Sequence, residues 1–193
     1  MIFKNVENEQ VELKDGRVVW LSRAAAVVAT ILVEDDSGNW YVPMVKRGKG
    51  VPDEVGKWVM PCGYVDWDED IPDACKREVY EETGLNIDEL ISMHDNHFYH
   101  NDFIKGQATY VASNPKGDGK QNISHHFVLA ASYYADSVDS LPPFDMSIID
   151  PKGEIADIKW IPFTTLQDME DKNEIGFGHF HRITQFTEEL ELN

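Results

Sequence analysis

Cysteine is scarce in this chain. Cys62 and Cys75 are the two present in 193 residues, too few to make a disulfide framework, so the small disulfide-stapled secreted folds are excluded. Basic charge is also short, with 17 Lys and Arg against 35 Asp and Glu and a formal net charge of −18. The average field therefore repels phosphate backbones and anionic lipid, which argues against bulk nucleic acid and membranes as partners. Long apolar runs are missing too. The longest, Ala24 to Val33, is about half of what a membrane-spanning helix needs, and its Val and Ile content suits a buried strand. Met1 to Gln10 is polar with no apolar signal core, so a reducing cytoplasm is the expected compartment. No internal repeat or low-complexity tract interrupts the chain.

What remains is an ordinary globular composition, 42% hydrophobic and 27% charged. At this length one packed domain over residues 1–193 is expected, with an N-terminal β-hairpin extension over about residues 1–21 marked by the turn signal Lys14-Asp15-Gly16. That hairpin leaves pairing across a homodimer open. Strand patterns cover Val18–Leu21, Ala24–Glu34, Trp40–Arg47 and Lys57–Met60, with turn chemistry at Asp35-Asp36-Ser37-Gly38-Asn39 and a mixed loop from Arg47 to Gly56. A helix is expected over Ile71–Thr83, capped by Asp70 with Asp73 three residues on, tolerant of Pro72 in its first turn, and closed by Gly84.

Further strands are expected at His97–Tyr99, Gln107–Ala112, His126–Tyr134 and Ile155–Ile161, with a hairpin loop over Asn114–Asn122. A second helix from about His179 to Leu190 follows from Ile183, Phe186 and Leu190 at helical spacing. Strands on both sides of a helix, then a terminal helix, predict an α/β (α+β) fold with a mixed sheet between helical layers.

Chemistry concentrates on the first helix. Glu78, Glu81 and Glu82 stand at i, i+3 and i+4, so their carboxylates share one face within about one turn. Like charges there destabilise a helix by a few tenths of a kcal/mol per pair unless something positive offsets them. Hard carboxylate oxygens in this arrangement suit Mg²⁺ or Mn²⁺, while Arg77 can orient one carboxylate by a bidentate pair. A cation also reconciles an acidic chain with an anionic substrate.

The segment reads Gly63, five residues, Glu69, seven residues, then Arg77-Glu78-Val79-Tyr80-Glu81-Glu82-Thr83-Gly84-Leu85. It resembles the Nudix box at every fixed position. With each residue type at roughly 5 to 10% abundance, a chance match is far below about one in ten thousand. The resemblance implies a Nudix-type α/β/α sandwich, metal binding by Glu78, Glu81 and Glu82, support from Glu69, and Arg77 holding the helix carboxylates. It also implies hydrolysis of a phosphoanhydride in a nucleoside diphosphate linked to another moiety, with Mg²⁺ or Mn²⁺ as cofactor and a small-molecule nucleotide as partner.

Cys62 replaces the glycine usual before the box glycine. Its backbone carbonyl remains available as a metal ligand whatever its side chain. The family's later acidic residue has a counterpart in Glu154, and the general base lies among Glu81, Glu82 and Glu154. Tyr64 and Trp67, in the segment between strand and helix, and Arg47 are candidates to contact substrate.

Other residues invite plainer readings. His94, His97 and His100 recur every third residue, but in an extended segment that spacing alternates faces and disfavours zinc. His125 and His126 read as structural at the start of a strand, Cys75 as a small packed residue, and Trp58 as core. ADP-ribose or a nucleotide sugar is favoured as substrate over dinucleoside polyphosphates or oxidised nucleoside triphosphates. Alternatives are a catalytically silent Nudix-fold ligand sensor or regulator, and, ranking last, a prenyl diphosphate isomerase on the same fold.

Overall fold

A computed structural model describes residues 9–21, 25–93, 97–115, 121–145, 147 and 153–192. The elements, in chain order, begin with β1 (Glu9–Glu12) and β2 (Val18–Leu21), which pair with each other in a two-stranded sheet. Residues 1–8 of the expected hairpin extension lie outside the described residues, as do Ala24 and His94.

The main sheet is built on β3 (Ala25–Glu34), β4 (Trp40–Arg47), β9 (Gln121–Ser132), β7 (Phe98–Asn101) and β10 (Ile155–Pro162), in the order β10-β4-β3-β9-β7. β3 and β9 run parallel while the other pairs are antiparallel, so the sheet is mixed. β5 (Trp58–Val59) joins β4, β6 (Cys62–Tyr64) joins β3, and β8 (Tyr110–Pro115) joins β9.

β3 is buried on both faces, which is why it reads as a nearly continuous apolar run rather than an alternation. Val27, Ala29, Ile31 and Val33 face a core completed by Ala74, Cys75 and Val79 of α1 (Ile71–Thr83). Val28 and Leu32 face the opposite core, completed by Leu166 of α4 (Phe163–Asp171) and by Ile183 and Phe186 of α5 (His179–Glu189). Helices thus cover both faces, the α/β/α layering expected. The buried Asp35 sets the β3–β4 turn by accepting bonds from the Ser37 and Asn39 amides at 2.9 and 2.8 Å.

α1 spans the residues its sequence pattern predicts, and Gly84 closes it at φ 75°, donating its N–H to the Tyr80 carbonyl. Only glycine fits, because a Cβ would also lie 2.6 Å from Asp145. Asp70 occupies the N-cap position with extended backbone, yet its side chain makes no capping bond. That corrects the expected cap; Pro72, which donates no N–H, accounts for one orphan donor of the first turn.

Other departures have local causes. Short helices α2 (Ile87–Met93) and α3 (Asp102–Lys105), together with α4, were not expected. α3 is one turn capped by Asn101, whose side chain accepts from the Ile104 amide at 3.0 Å, and such turns have too few residues to show a period. The strand expected at Lys57–Met60 is the shorter β5, and a further short strand, β6, follows Pro61 in the segment read from sequence as a loop. β9 begins at Gln121, so His125 and His126 lie in its interior rather than at its start, and β8–β9 pairing continues to Pro115↔Gln121. Residues 116–120 of the expected hairpin loop lie outside the described residues.

Candidate functional site

α1 lies against β3 and β6 and presents Arg77, Glu78, Glu81 and Glu82 where β6 meets the helix. Arg77 is the hub. Its Nε and Nη2 donate to the two carboxylate oxygens of Glu69 at 2.8 and 3.0 Å, and Nη2 also donates to the Tyr64 carbonyl at 2.9 Å. Nη1 donates to Glu78 at 2.8 Å and to Glu81 at 3.0 Å. A planar guanidinium can make this many directed contacts where a lysine could not. Burial alone opposes its charge, but the bonds and charges of Glu69 and Glu78 outweigh that and hold it firmly protonated.

Glu69 is itself anchored, accepting the Asp66 amide at 3.0 Å. Together Glu69 and Arg77 tie the β6–α1 connection to the helix, with both side chains almost wholly buried. A Cβ at Gly63 would lie 2.2 Å from the Glu78 carboxylate carbon, so any side chain there would displace that carboxylate.

The three helix glutamates differ. Glu81 is half exposed, with 51% of its side chain accessible, while Glu78 keeps 15%. Burial pushes the Glu78 carboxyl up to about 7 despite the offsetting guanidinium of Arg77. Burial also raises Glu82 well above the ordinary carboxylate range, reinforced by the charge of Glu78 and opposed by the Cys62 N–H and Arg47. Neighbouring acids that cannot both ionise comfortably form a donor set short of positive charge.

What fits a divalent cation to these residues is their chemistry, carboxylate oxygens of the hard kind that Mg²⁺ and Mn²⁺ prefer, gathered beside the β6 backbone. Cys62 fits as well. Its N–H donates to Glu82 at 2.9 Å, and the ladder bonds of its neighbours, Ala29 N–H to Pro61 O and Val65 N–H to Ala25 O, fall on the other edge. In an antiparallel strand a residue's carbonyl points to the same edge as its N–H, so the Cys62 carbonyl turns toward the helix carboxylates. Among the described residues no three His, Cys, Asp or Glu side chains already form a ligand shell; Arg77 stands between Glu78 and Glu81.

The outer candidates are placed unequally. Glu154, exposed just before β10, is held by its carbonyl to the Gly48 amide, and its charge bears on Glu82. Arg47 also bears on Glu82, but its guanidinium bonds Asp53 at 2.9 Å and lies 4.9 Å over Phe177. Tyr64 belongs to β6 rather than to a loop, and its hydroxyl donates to Asn122 at 3.1 Å. Trp67 is 61% exposed on the β6–α1 connection.

His100 bonds Asp102 and Thr109, and His97 is exposed. His126 is buried, its ionisation pushed down to about 4 by burial and by the charge of Arg182. Cys75 and Trp58 are core residues, as read from sequence. Asp53, Phe177 and His179 are residues near the site that the sequence reading missed; they come together only through distant segments, and no local motif marks them.

A model of the NUDIX domain matches residues 23–181. The chain belongs to this family. A stretch of 74 residues is 38% identical to the m7GpppN-mRNA hydrolase NUDT17 of Danio rerio, covering 37% of this chain and 24% of that protein. Among solved structures, a bifunctional NMN adenylyltransferase/ADP ribose pyrophosphatase of Francisella tularensis, complexed with AMP and a manganese ion, aligns with TM-score 0.62 at 23% identity over 88% of this chain and 42% of that one. The NUDIX domain of Shewanella oneidensis NrtR, complexed with ADP ribose, aligns with TM-score 0.56 at 19% identity over 88% and 89%. The NUDIX chain therefore spans less than half of the curated relative and of the Francisella protein, and the structural likenesses speak to fold alone.

Proposed function

We propose that this NUDIX protein hydrolyses a phosphoanhydride bond in a nucleoside diphosphate linked to a second moiety, with Mg²⁺ or Mn²⁺ as cofactor and ADP-ribose or a nucleotide sugar as the favoured substrates. The observation that carries the reading is the placement of Glu78 and Glu82 against β6, where Gly63 leaves room for the Glu78 carboxylate and the Cys62 N–H holds that of Glu82 at 2.9 Å. Glu78, Glu81, Glu82 and the Cys62 carbonyl would hold the cation. When bound, the cation supplies Lewis-acid stabilisation of charge on the phosphoryl oxygens and activates water for attack.

The chain's own groups do the positioning. Arg77 and Glu69 fix the helix carboxylates against β6, and the Cys62 amide orients Glu82. Glu81, Glu82 or Glu154 takes the proton of the attacking water, and bond cleavage at phosphorus releases the two halves of the substrate. Trp67, Tyr64 and Arg47 are the side chains we assign to substrate contact. Pocket loops, not the box, read what lies beyond the diphosphate.

The test is a panel of ADP-ribose, nucleotide sugars, dinucleoside polyphosphates and oxidised nucleoside triphosphates, with Mg²⁺ and Mn²⁺, scored by phosphate and nucleoside monophosphate release. Glu82→Gln should lower turnover by at least about a hundredfold. Survival within about threefold sinks the reading, and tight ADP-ribose binding without turnover points instead to a ligand sensor.

A further inference from the structure

Between β5 and β6 the chain passes Trp58, Met60 and Cys62, and three alternate amides along it find acceptors outside the main sheet. Trp58 N–H donates to the Glu174 carbonyl at 2.8 Å. Met60 N–H donates to His179 Nδ1 at 2.9 Å. Cys62 N–H donates to the Glu82 carboxylate at 2.9 Å. The first acceptor is backbone, the last is a box carboxylate, and the imidazole of His179 stands between them in place of a carbonyl.

We infer that His179 is a positioning residue for the metal-binding carboxylates, acting through the Met60-Pro61-Cys62 backbone on Glu82. The inference rests on the metal-dependent reading above and extends it to a residue outside the box. Among the described residues, His179 makes no hydrogen bond or ion pair to a box side chain. It leads α5, and the segment before it is fastened to β5 by the Trp58–Glu174 bond and by Gly176 N–H to Trp58 O at 2.9 Å. Phe177 and Gly178 both take left-handed backbone, φ 56° and 68°, which turns the chain so that His179 enters the core. A phenylalanine holds that conformation only where its surroundings compensate, and its ring lies under the Arg47 guanidinium.

A buried amide without an acceptor costs free energy, so the Met60 N–H is secured only while an acceptor stands at the Nδ1 position. His179 is 5% exposed, and no water replaces the imidazole cheaply. Loss of that acceptor frees the Met60 peptide to rotate, and Cys62, two residues on, shifts with it relative to Glu82.

The experiment compares His179→Leu, which removes the acceptor, with His179→Asn, whose side-chain oxygen can occupy the Nδ1 position, and with Ile183→Ala, which loosens the same helix without touching the Met60 amide. Mn²⁺ affinity is measured by spin resonance of the free ion, and amide exchange of Met60 and Cys62 in the metal-free proteins. His179→Leu should weaken Mn²⁺ binding about tenfold or more and speed both amides, His179→Asn should remain within about threefold of the natural chain, and Ile183→Ala should leave Mn²⁺ affinity unchanged. Should the leucine variant not fold, His179→Gln, which moves the polar end to the Nε2 position, takes its place with the same expectation.

Natural Mn²⁺ affinity in the leucine variant, failure of asparagine to rescue, or an equal loss in Ile183→Ala overturns the inference. If the natural protein binds no Mn²⁺, the metal-dependent reading fails separately, and unchanged exchange of the Cys62 amide in His179→Leu then overturns the positioning role by itself.

Discussion

Glu78→Gln should make the metal-free protein more stable while weakening what it does. Glu78 is mostly buried, its carboxyl pushed from the ordinary 4.5 up to about 7 by burial, with the Arg77 guanidinium offsetting part of the effect. At about 1.4 kcal/mol per tenfold change in proton affinity, ionising this group in the fold costs on the order of 3 kcal/mol. The folded-state value lies above the unfolded one, so the natural chain is favoured at low pH and loses stability as pH rises from about 4.5 through 7. Glutamine keeps the shape and an oxygen to accept from Arg77 but never ionises. In EDTA at pH 8.5 the variant should be more stable by about 1 to 3 kcal/mol, or about 2 to 4 °C in Tm for each kcal/mol in a chain of this size. Near pH 5 the advantage should shrink toward zero.

Mg²⁺ should reverse the order, because a cation that binds only the folded state stabilises it by mass action and finds one charge fewer in the variant. Urea unfolding at both pH values, with and without Mg²⁺, reads all four numbers. A variant less stable than the natural chain in EDTA at pH 8.5, or equally stabilised by Mg²⁺, refutes the argument that Glu78 is a strained charge awaiting a cation.

Three other outcomes follow from named contacts. Gly63→Ala places a methyl against the Glu78 carboxylate, so turnover should fall by about tenfold or more with little change in urea midpoint, checked by steady-state kinetics. Arg77→Lys keeps the charge but cannot reach Glu69, Glu78, Glu81 and the Tyr64 carbonyl together, and should cost about 2 to 4 kcal/mol in unfolding free energy. His126, pushed down to about 4, resists protonation in the fold while the unfolded chain accepts it near 6.5, so stability is lost as pH falls through that window. Relative to the natural chain, His126→Leu should therefore gain about 2 kcal/mol between pH 7 and pH 5 in paired urea titrations.

Some features of this chain are local, and for those the sequence was sufficient. The helix at Ile71–Thr83 follows from the start signals at Asp70 to Asp73 and from Gly84, whose left-handed closure is a property of glycine itself. That Glu78, Glu81 and Glu82 share a surface follows from helical geometry alone, and that β3 is buried from its nearly continuous apolar run. Short helices were illegible because a single turn such as Asp102–Lys105 has too few residues to show a period.

Tertiary structure decided how unlike those three glutamates are. Identical side chains on one helix end up with Glu81 half exposed and Glu78 and Glu82 pressed against β6, because burial depends on what the rest of the chain lays over them. It also decided that an imidazole from the start of α5 completes the bonding of the Met60 amide, 119 residues away in sequence. Spacing along a chain encodes contacts within one helix or hairpin; a bond between segments so far apart exists only once the sheet and both helical layers have assembled around it.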